Sequence, residues 1–315
     1  MATKLAFLFP GQGSQHAGMG KGAAEAFPEA RAVFDEADRA LGFPLSRLCF
    51  EGPDEELKLT ENTQPAVLTT SVALLRVLES RGLKPDFVAG HSLGEYSALV
   101  AAGALGLSDA VRLVRKRGRY MQEAVPVGEG AMAAILGLDL EGVEAVCREG
   151  ARAQVVSPAN LNGPGQVVIA GHASAVLRAS ELAKAKGAKR VIPLPVSAPF
   201  HCSLMEPAAR KLSIDLAAID FRDLQMPLVT NADARPIKTA GEALDGLKRQ
   251  VASPVRWQES VERLVAEGVG AFVEVGPGNV LAGLVRKIAR DALASSVSDL
   301  SGVSKLVESL AGSSS

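Results

Sequence analysis

The chain has 315 residues, and its 34 lysines and arginines against 35 aspartates and glutamates leave a formal net charge of −1 at pH 7. This balance gives no reason to expect a nucleic-acid-binding or membrane-surface protein, and abundant alanine and glycine with 4% aromatic residues favour a helix-rich α/β protein. The three cysteines are scattered and lack metal-ligand spacing, which predicts neither disulfides nor a metal site. No apolar stretch has the length of a membrane span, and the N-terminal apolar run is too short for a signal peptide. We therefore expect a cytoplasmic enzyme, and no cofactor is predicted.

The first part of the chain alternates between predicted strands and helices. Leu5–Phe9, ended by Pro10-Gly11, is predicted to be a buried strand, and Phe87–Ala89 a second one. Ser108 is predicted to be the N-cap of a helix that runs to about Glu123. Further helices are predicted over 23–41, 64–81 (after a turn at 62–65) and 95–102.

Residues 126–195 have a different pattern, with Pro/Gly-containing segments at both ends. Their predicted order is strand, helix, strand, strand, helix, strand, which is the ferredoxin-like order. The strands are predicted at 130–136, 154–157, 166–170 and 189–192, and the helices at 140–149 and 174–186. We therefore expect a small ferredoxin-like domain over these residues.

After this segment the larger α/β pattern resumes. Strands are predicted at 228–231 and 271–275, with helices from about 203, over 240–250 and 255–267, and after Gly278. Residues 1–125 and 196–293 are thus expected to form one α/β-hydrolase-like domain with a parallel sheet, into which the small domain is inserted. The serine-rich segment 294–315 is expected to be a mobile or loosely docked tail.

A GHSLG pentapeptide at residues 90–94 follows the second predicted strand and precedes a helix. This is the setting of a nucleophile elbow, a strained turn that exposes a serine hydroxyl, and it makes Ser92 the candidate nucleophile. The helix that starts near Leu93 points free N–H groups and the positive end of its dipole toward the same place, where an oxyanion would form. A plain strand-to-helix turn is the alternative.

A nucleophilic serine needs a base, and four histidines are available. His201, in the motif SAPFHC at residues 197–202 directly after the small domain, is favoured because active-site groups cluster at domain junctions. A capping or core histidine is the alternative for this position. His91 adjoins the serine and is expected to support the site rather than act as the base. His16 could line the site or pack in its loop, and His172 is expected at the surface.

The segment GQGSQ at residues 11–15 follows the first predicted strand and should lie beside the elbow. Its glycines allow close backbone approach, and Gln12 could supply an amide donor to an oxyanion. The segment lacks the lysine and the spacing of a phosphate-binding loop.

Arg117 is the one charge on the apolar stripe of its predicted helix, which contains Leu113 and Met121. An unpaired buried charge costs several kcal/mol, so this arginine needs a partner. A protein carboxylate, Glu95 or Asp86, is one candidate. The carboxylate of a substrate, held by the planar fork of the guanidinium, is the other.

Taken together, these motifs resemble those of one enzyme family. GQGSQ, GHSLGEYSAL, the Arg117 helix, NLNGPGQVVIAG at residues 160–171, PFH at residues 199–201 and EVGPG at residues 274–278 occur in this order. Over about residues 4–290 the chain closely resembles malonyl-CoA:acyl carrier protein transacylases.

The resemblance implies that a malonyl group passes from malonyl-CoA to Ser92 and then to the phosphopantetheine thiol of acyl carrier protein, which supplies extender units for fatty-acid or polyketide synthesis. It further implies that His201 is the base and that the Gln250 carbonyl orients it in place of an aspartate. Gln12 and the Leu93 N–H would border the oxyanion. The substrate-binding residues it implies are Arg117, His91, Phe200, Asn160 and Asn162.

Two other functions share some of these features. An α/β-hydrolase esterase also has G-x-S-x-G, but it places its histidine late and uses an HGGG-type loop that is absent here. A non-catalytic domain that binds carrier proteins is the second, and the joint presence of Ser92, His201 and Arg117 argues against it.

Basic surface residues could dock an acidic carrier protein near the mouth of the site, although charged helix faces are usually just solvated. The candidates are Lys186, Lys189, Arg190, Arg286, Lys287 and Arg290.

Overall fold

The computed structural model describes residues 3–196 and 198–312, where ten strands and fourteen α-helices are found. The strands are β1 Lys4–Phe9, β2 Phe87–Gly90, β3 Gly130–Leu136, β4 Val156–Gly163, β5 Gln166–His172, β6 Arg190–Pro193, β7 Leu228–Val229, β8 Pro236–Ile237, β9 Val269–Val275 and β10 Leu293–Val297. The helices are α1 Lys21–Ala26, α2 Pro28–Leu41, α3 Leu45–Glu51, α4 Asp54–Leu57, α5 Thr60–Ser80, α6 Gly94–Ala101, α7 Leu107–Glu123, α8 Leu140–Ala151, α9 Ala173–Ala185, α10 Glu206–Ala217, α11 Ala240–Gln250, α12 Trp257–Ala266, α13 Val280–Ile288 and α14 Leu300–Gly312.

The larger sheet has six strands in the order β10-β9-β1-β2-β7-β8, all parallel to their neighbours except the short β8. Strand β1 lies between β2 and β9, and its residues 6–9 are fully buried, as expected for a parallel strand covered on both faces. Phe9 is in register with Gly90, and the His91 N–H donates to the Phe9 carbonyl over 3.0 Å. The loops that follow β1 and β2 therefore start side by side.

The smaller sheet is antiparallel, with strand order β4-β5-β3-β6. Helices α8 and α9 pack on it through a separate apolar core that includes Val143, Ile169 and Ala179. This is the ferredoxin-like order, so the predicted fold class, a parallel α/β sheet with an inserted ferredoxin-like unit, is confirmed. The domain boundaries at residues 126 and 195 stay a prediction.

The helix predicted over 23–41 is two helices, α1 and α2. Phe27 separates them in an extended conformation (φ −129°, ψ 120°), because the ring of Pro28 disfavours the helical region for the residue before it.

Two further local predictions are wrong. Residues 62–65 are not a turn, since α5 continues through Pro65, and burial of nearly the whole helix outweighs the local cost of the proline. Ser108 is not an N-cap, because α7 begins at Leu107 after Gly106. Its hydroxyl instead donates to Glu36 Oε1 in α2 over 2.7 Å.

The loose tail predicted from Ala294 is also wrong. Residues 294–297 belong to β10, which pairs with β9, and α14 follows. Val297 and Val303 are buried, and Asp299 Oδ1 accepts the Gly302 N–H at the start of the helix. Backbone pairing satisfies the peptide groups whatever the side chains, so serine content alone misled the prediction. Residues 313–315 of the predicted tail lie outside the described residues.

No helix within the described ranges is long and apolar enough to cross a bilayer. The same residues contain no group of three or more histidine, cysteine, aspartate and glutamate side chains that could hold a metal ion. Cys49, Cys147 and Cys202 are free and buried.

The turn from β2 into α6 depends on a close backbone contact at Gly94. A Cβ atom at this position would lie 2.0 Å from the Phe9 carbonyl oxygen, so the helix would have to move away from β1. We expect Gly94→Ala to lower the free energy of unfolding by about 1–3 kcal/mol or more, measured by urea denaturation.

Gly241→Ala in α11 is the matched control, because a Cβ there meets nothing within 4 Å. It should leave stability unchanged or raise it by up to about 1 kcal/mol, since alanine is the better helix former. Equal stabilities of the two variants would contradict the close-contact argument.

Candidate active site

Ser92 lies between β2 and α6 with φ of 53°, in the left-handed region that non-glycine residues rarely adopt. The turn is possible because a Cβ at Gly90 would lie only 1.9 Å from the Gly94 carbonyl carbon, space that only glycine leaves. The Asn231 side chain clamps the turn, since Oδ1 accepts the Ser92 N–H (2.7 Å) and Nδ2 donates to the Gly90 carbonyl (2.7 Å). This is the strained strand-to-helix geometry of a nucleophile elbow.

His201 meets this serine from the loop that follows β6. Its Nε2 lies 2.6 Å from Ser92 Oγ, and its Nδ1 lies 3.0 Å from the Gln250 carbonyl oxygen. A carbonyl oxygen can only accept, so Nδ1 carries the proton and Nε2 is free to accept the serine hydroxyl. The structure therefore brings together the serine, the histidine and the orienting carbonyl that the sequence singled out. Ser197 of the SAPFHC motif lies outside the described residues.

The electrostatics of the site keep His201 neutral. Burial, and next the nearby Arg117 charge, lower the pKa of His201 from 6.5 to about 3. Burial also lowers the pKa of His91. Both imidazoles are therefore unprotonated at neutral pH, which is the state a base requires.

Arg117 is buried, and among the described residues the acceptors that bind it are all neutral. Nη1 donates to Gln64 Oε1 (2.9 Å), while Nη2 donates to Gln250 Oε1 (3.0 Å) and to Ser92 Oγ (3.1 Å). The Tyr96 ring, 5.4 Å from the guanidinium carbon, adds a weak cation–π contact.

Neither protein carboxylate considered as a partner forms an ion pair with Arg117. Asp86 accepts the Leu5 N–H at the start of β1, and Glu95 binds Gln250 instead. No carboxylate of the described chain lies within 4.0 Å of the guanidinium, and burial lowers its pKa. The cation is thus positioned to receive an anion from outside the protein.

A small cavity of about 110 Å³ lies over the serine. Six of its lining residues are apolar, namely Leu93, Met121, Met132, Leu194, Val196 and Phe200. The rest of the lining consists of Gln12, Gln64, His91, Ser92, Arg117, Asn160 and His201.

Gln12 and Leu93 both border this cavity, as expected for an oxyanion site. Gln12 Nε2 donates one of its two hydrogens to Thr60 Oγ1 (3.3 Å), so both the second Nε2 hydrogen and the backbone N–H are donors that Gln12 can offer. Within residues 3–196 and 198–312, no acceptor binds the backbone N–H of Gln12 or of Leu93. Free N–H groups beside a nucleophile are the usual composition of an oxyanion hole.

Of the other substrate-binding candidates, some line the cavity and one contacts a lining residue from behind. Phe200 and Asn160 line the cavity directly. Asn162 lies behind the cavity wall, where its Oδ1 is 2.8 Å from His91 Nε2, and His91 packs on Trp257.

The two remaining histidines lie outside the cavity lining. His16 is exposed, with its Nδ1 3.3 Å from the Ser14 carbonyl oxygen. His172 ends β5, and its Nδ1 accepts the Val155 N–H. It therefore has a structural contact rather than the purely surface role expected.

Sequence reasoning missed four contributions to the site: the side chains of Gln64, Glu95 and Asn231, and the side chain, as opposed to the carbonyl, of Gln250. Gln250 Nε2 donates to the Ser92 carbonyl (2.8 Å) and to Glu95 Oε2 (2.8 Å). Burial raises the pKa of Glu95 to about 7. Position at the carboxyl edge of the sheet, directly after β7, could have identified Asn231.

The six basic residues proposed for docking are all exposed. Lys186 is paired with Glu149, and the Arg286 guanidinium donates to the Ala294 carbonyl. Lys287 Nζ donates to Gln166 Oε1 at the start of β5. Leu136 pairs with both Gln166 and Arg190, so the basic end of α13 and the basic start of β6 lie on one side of the molecule.

Comparisons with known proteins agree with this geometry. Residues 6–307 match the model of the acyl transferase domain family. The malonyl CoA-acyl carrier protein transacylase of Bacillus subtilis (strain 168) is 54% identical over 98% of both chains, and that of Escherichia coli (strain K12) is 53% identical over 97% of this chain and 99% of the relative.

Solved structures give the same result. An acyl carrier protein S-malonyltransferase from Vibrio cholerae has a TM-score of 0.94 at 47% identity, covering 96% of this chain and 100% of the other. A malonyl-transacylase in complex with a type II PKS acyl-carrier protein has a TM-score of 0.95 at 48% identity, covering 98% of this chain and 100% of the other. The chain therefore belongs to the malonyl CoA-acyl carrier protein transacylases, within the acyl transferase domain family.

Proposed function

We propose that this protein transfers the malonyl group of malonyl-CoA to the phosphopantetheine thiol of acyl carrier protein through a malonyl ester of Ser92. The observation that carries the proposal is the buried Arg117 cation, bound only by neutral acceptors, 3.1 Å from a serine hydroxyl that also contacts a neutral histidine. An acyl group with a free carboxylate fits this pair, because its carbonyl can meet the serine while its carboxylate meets the guanidinium.

In the first half-reaction, Ser92 Oγ attacks the thioester carbonyl while its proton moves to His201 Nε2. The C–S bond then breaks, and the CoA sulfur leaves with the proton that His201 returns. The Gln250 carbonyl fixes the imidazole tautomer without adding charge, in place of the aspartate of a hydrolase triad. A thioester is an activated acyl donor, so this neutral arrangement is adequate.

The tetrahedral oxyanion formed on the way would be stabilised by the free backbone N–H groups of Gln12 and Leu93 at the start of α6. In the second half-reaction the carrier thiol gives its proton to His201 and attacks the ester carbonyl. The bond between the acyl carbon and Ser92 Oγ then breaks, and Ser92 leaves with the proton that His201 returns.

The exposed cations at the start of β6 and the end of α13 support docking of an acidic carrier protein. A relative of this chain has been solved in complex with an acyl-carrier protein, and we propose the same class of partner here.

We also propose that the protein is cytoplasmic. Its free, buried cysteines support this location, because disulfides are rare in the reducing cytoplasm.

Ser92→Ala should abolish the covalent intermediate, because no other hydroxyl lies against His201 Nε2 in the described structure. Intact-protein mass spectrometry after incubation with malonyl-CoA measures the intermediate directly. Ser174→Ala is the control, since Ser174 is exposed and bonds only to Gln154. Full malonylation of Ser92→Ala would disprove the assignment.

Arg117→Ala should lower kcat/KM for malonyl transfer by about tenfold to a hundredfold, the equivalent of losing charge-assisted hydrogen bonds worth roughly 1.5–3 kcal/mol. Acetyl transfer should fall much less, because acetyl-CoA has no carboxylate to bind. Arg112→Ala, on the exposed face of the same helix, is the control. Equal losses for both acyl groups would mean that Arg117 is only structural.

The neutral His201 predicts a pH–rate profile without an imidazole limb. With a pKa of about 3, the ring stays unprotonated from pH 8 to pH 5, so kcat/KM should not fall tenfold per unit below pH 6.5. Glu95, whose pKa burial raises to about 7, is a buried group beside the site that does titrate in this range. The profile is therefore measured in Glu95→Gln as well as in the wild type, and a steep acid limb in Glu95→Gln would contradict the prediction.

A further inference from the structure

Glu95 is a buried carboxyl group in the first turn of α6, and it does not line the cavity. Its Oε2 accepts two hydrogen bonds, one from Gln250 Nε2 (2.8 Å) and one from the Asn231 backbone N–H (3.0 Å). Both donors come from distant parts of the chain, after β7 and at the end of α11. Glu95 Oε2 thus joins α6 to the segment after β7 and to the end of α11, the two segments whose side chains hold the backbone of Ser92.

Those two segments bind opposite ends of the same residue. Asn231 Oδ1 accepts the Ser92 N–H, and Gln250 Nε2 donates to the Ser92 carbonyl. The strained φ of Ser92 is therefore held from its N–H and from its carbonyl. Glu95 connects the two residues that hold Ser92, which also meet each other through a longer contact of 3.4 Å between Gln250 Nε2 and Asn231 Oδ1.

The same contact decides which way the Gln250 amide points. Its NH₂ group faces the Ser92 carbonyl and the Glu95 carboxyl at 2.8 Å each and, more distantly, Asn231 Oδ1 at 3.4 Å, so its oxygen is turned toward Arg117 Nη2. If the amide rotated by half a turn, its NH₂ group would face the guanidinium and Arg117 would lose one of its acceptors. Without the Glu95 oxygen, one of the two short contacts that oppose this rotation is gone.

We infer that Glu95 is a positioning residue, whose acceptor oxygen orients Gln250 and thereby holds Arg117 in the pose that selects a carboxylated acyl group. The inference rests on the proposed function of the same site and adds a specificity determinant that does not touch the substrate. The property of Glu95 that matters in this inference is how far its side chain extends the acceptor oxygen toward Gln250, not its negative charge.

The surroundings of Glu95 indicate that the position of its acceptor oxygen, rather than its negative charge, orients Gln250. Arg117 lies beyond ion-pair distance and only partly opposes the rise in the pKa of Glu95, while Asp233 repels the carboxylate and is itself paired with Arg235 and Arg249. Burial raises the pKa of Glu95 to about 7, so the group is partly protonated at neutral pH. An oxygen able to accept a hydrogen bond is present in both forms of the carboxyl group.

Two variants separate these properties. Glu95→Gln keeps the length and one acceptor oxygen but removes the charge, whereas Glu95→Asp keeps the charge but withdraws the oxygens by one methylene. The readout is the ratio of kcat/KM for malonyl-CoA to that for acetyl-CoA, with acyl carrier protein as acceptor. A loss of folded protein cancels in this ratio, so a merely structural role would not change it.

We expect Glu95→Asp to lower the malonyl-to-acetyl ratio about tenfold and Glu95→Gln to keep it within about threefold of the wild type, as for the loss or retention of one hydrogen bond to a buried charged network. An unchanged ratio in Glu95→Asp would overturn the inference. So would a loss in Glu95→Gln as large as that in Glu95→Asp, because the charge would then be the relevant property.

A double-mutant cycle tests whether the effect passes through Gln250. In a Gln250→Ala background, Glu95→Asp should change the ratio by less than about twofold, since the amide that Glu95 orients is absent. A full additional tenfold loss would show that Glu95 acts by another route. A wild-type protein that transfers no malonyl group would instead refute the proposed function, which keeps the two failures distinct.

Discussion

The burial of a guanidinium without a counter-ion is the constraint on which the site depends. Removing an arginine side chain from water costs several kcal/mol, and Arg117 recovers part of this only from amide, hydroxyl and aromatic groups. Its charge, which Glu95 offsets only from beyond ion-pair distance, lowers the pKa of His201, which already falls through burial. Substrate recognition and the basicity of His201 are therefore coupled, because the Arg117 cation both receives the substrate carboxylate and lowers the pKa of the base.

The orienting group behind His201 is neutral for a related reason. A carboxylate hydrogen-bonded to Nδ1 would stabilise the imidazolium and raise its pKa, whereas a backbone carbonyl fixes the tautomer and leaves the ring a weak base. Such a base suits an activated thioester, which needs less help than an amide. The nearest carboxyl of the network, Glu95, reaches the serine only through Gln250 and Asn231.

Short-range patterns predicted much of this arrangement. The elbow glycines and the stripe position of Arg117 follow from spacings of a few residues, and the ferredoxin-like unit follows from the order of the predicted elements. His201 was favoured by its place after the small domain, whereas the role of Gln250 came only with the family resemblance. The contacts of Glu95 with Asn231 and Gln250 join segments more than a hundred residues apart, so no local pattern announces them. The same reason explains the misjudged C-terminal segment, since β10 is a strand only because β9 is available to pair with it.

The position of β1 has a consequence for the order of assembly during synthesis. This strand precedes every other strand of its sheet along the chain, yet one of its two neighbours, β9, follows only after β7 and β8. At roughly 5–20 residues per second, more than about ten seconds separate the synthesis of the two strands, and for that time the backbone groups of β1 that face β9 have no strand partner. Non-local pairing of this kind slows folding, so the nascent chain is exposed to aggregation until β9 emerges and pairs with β1.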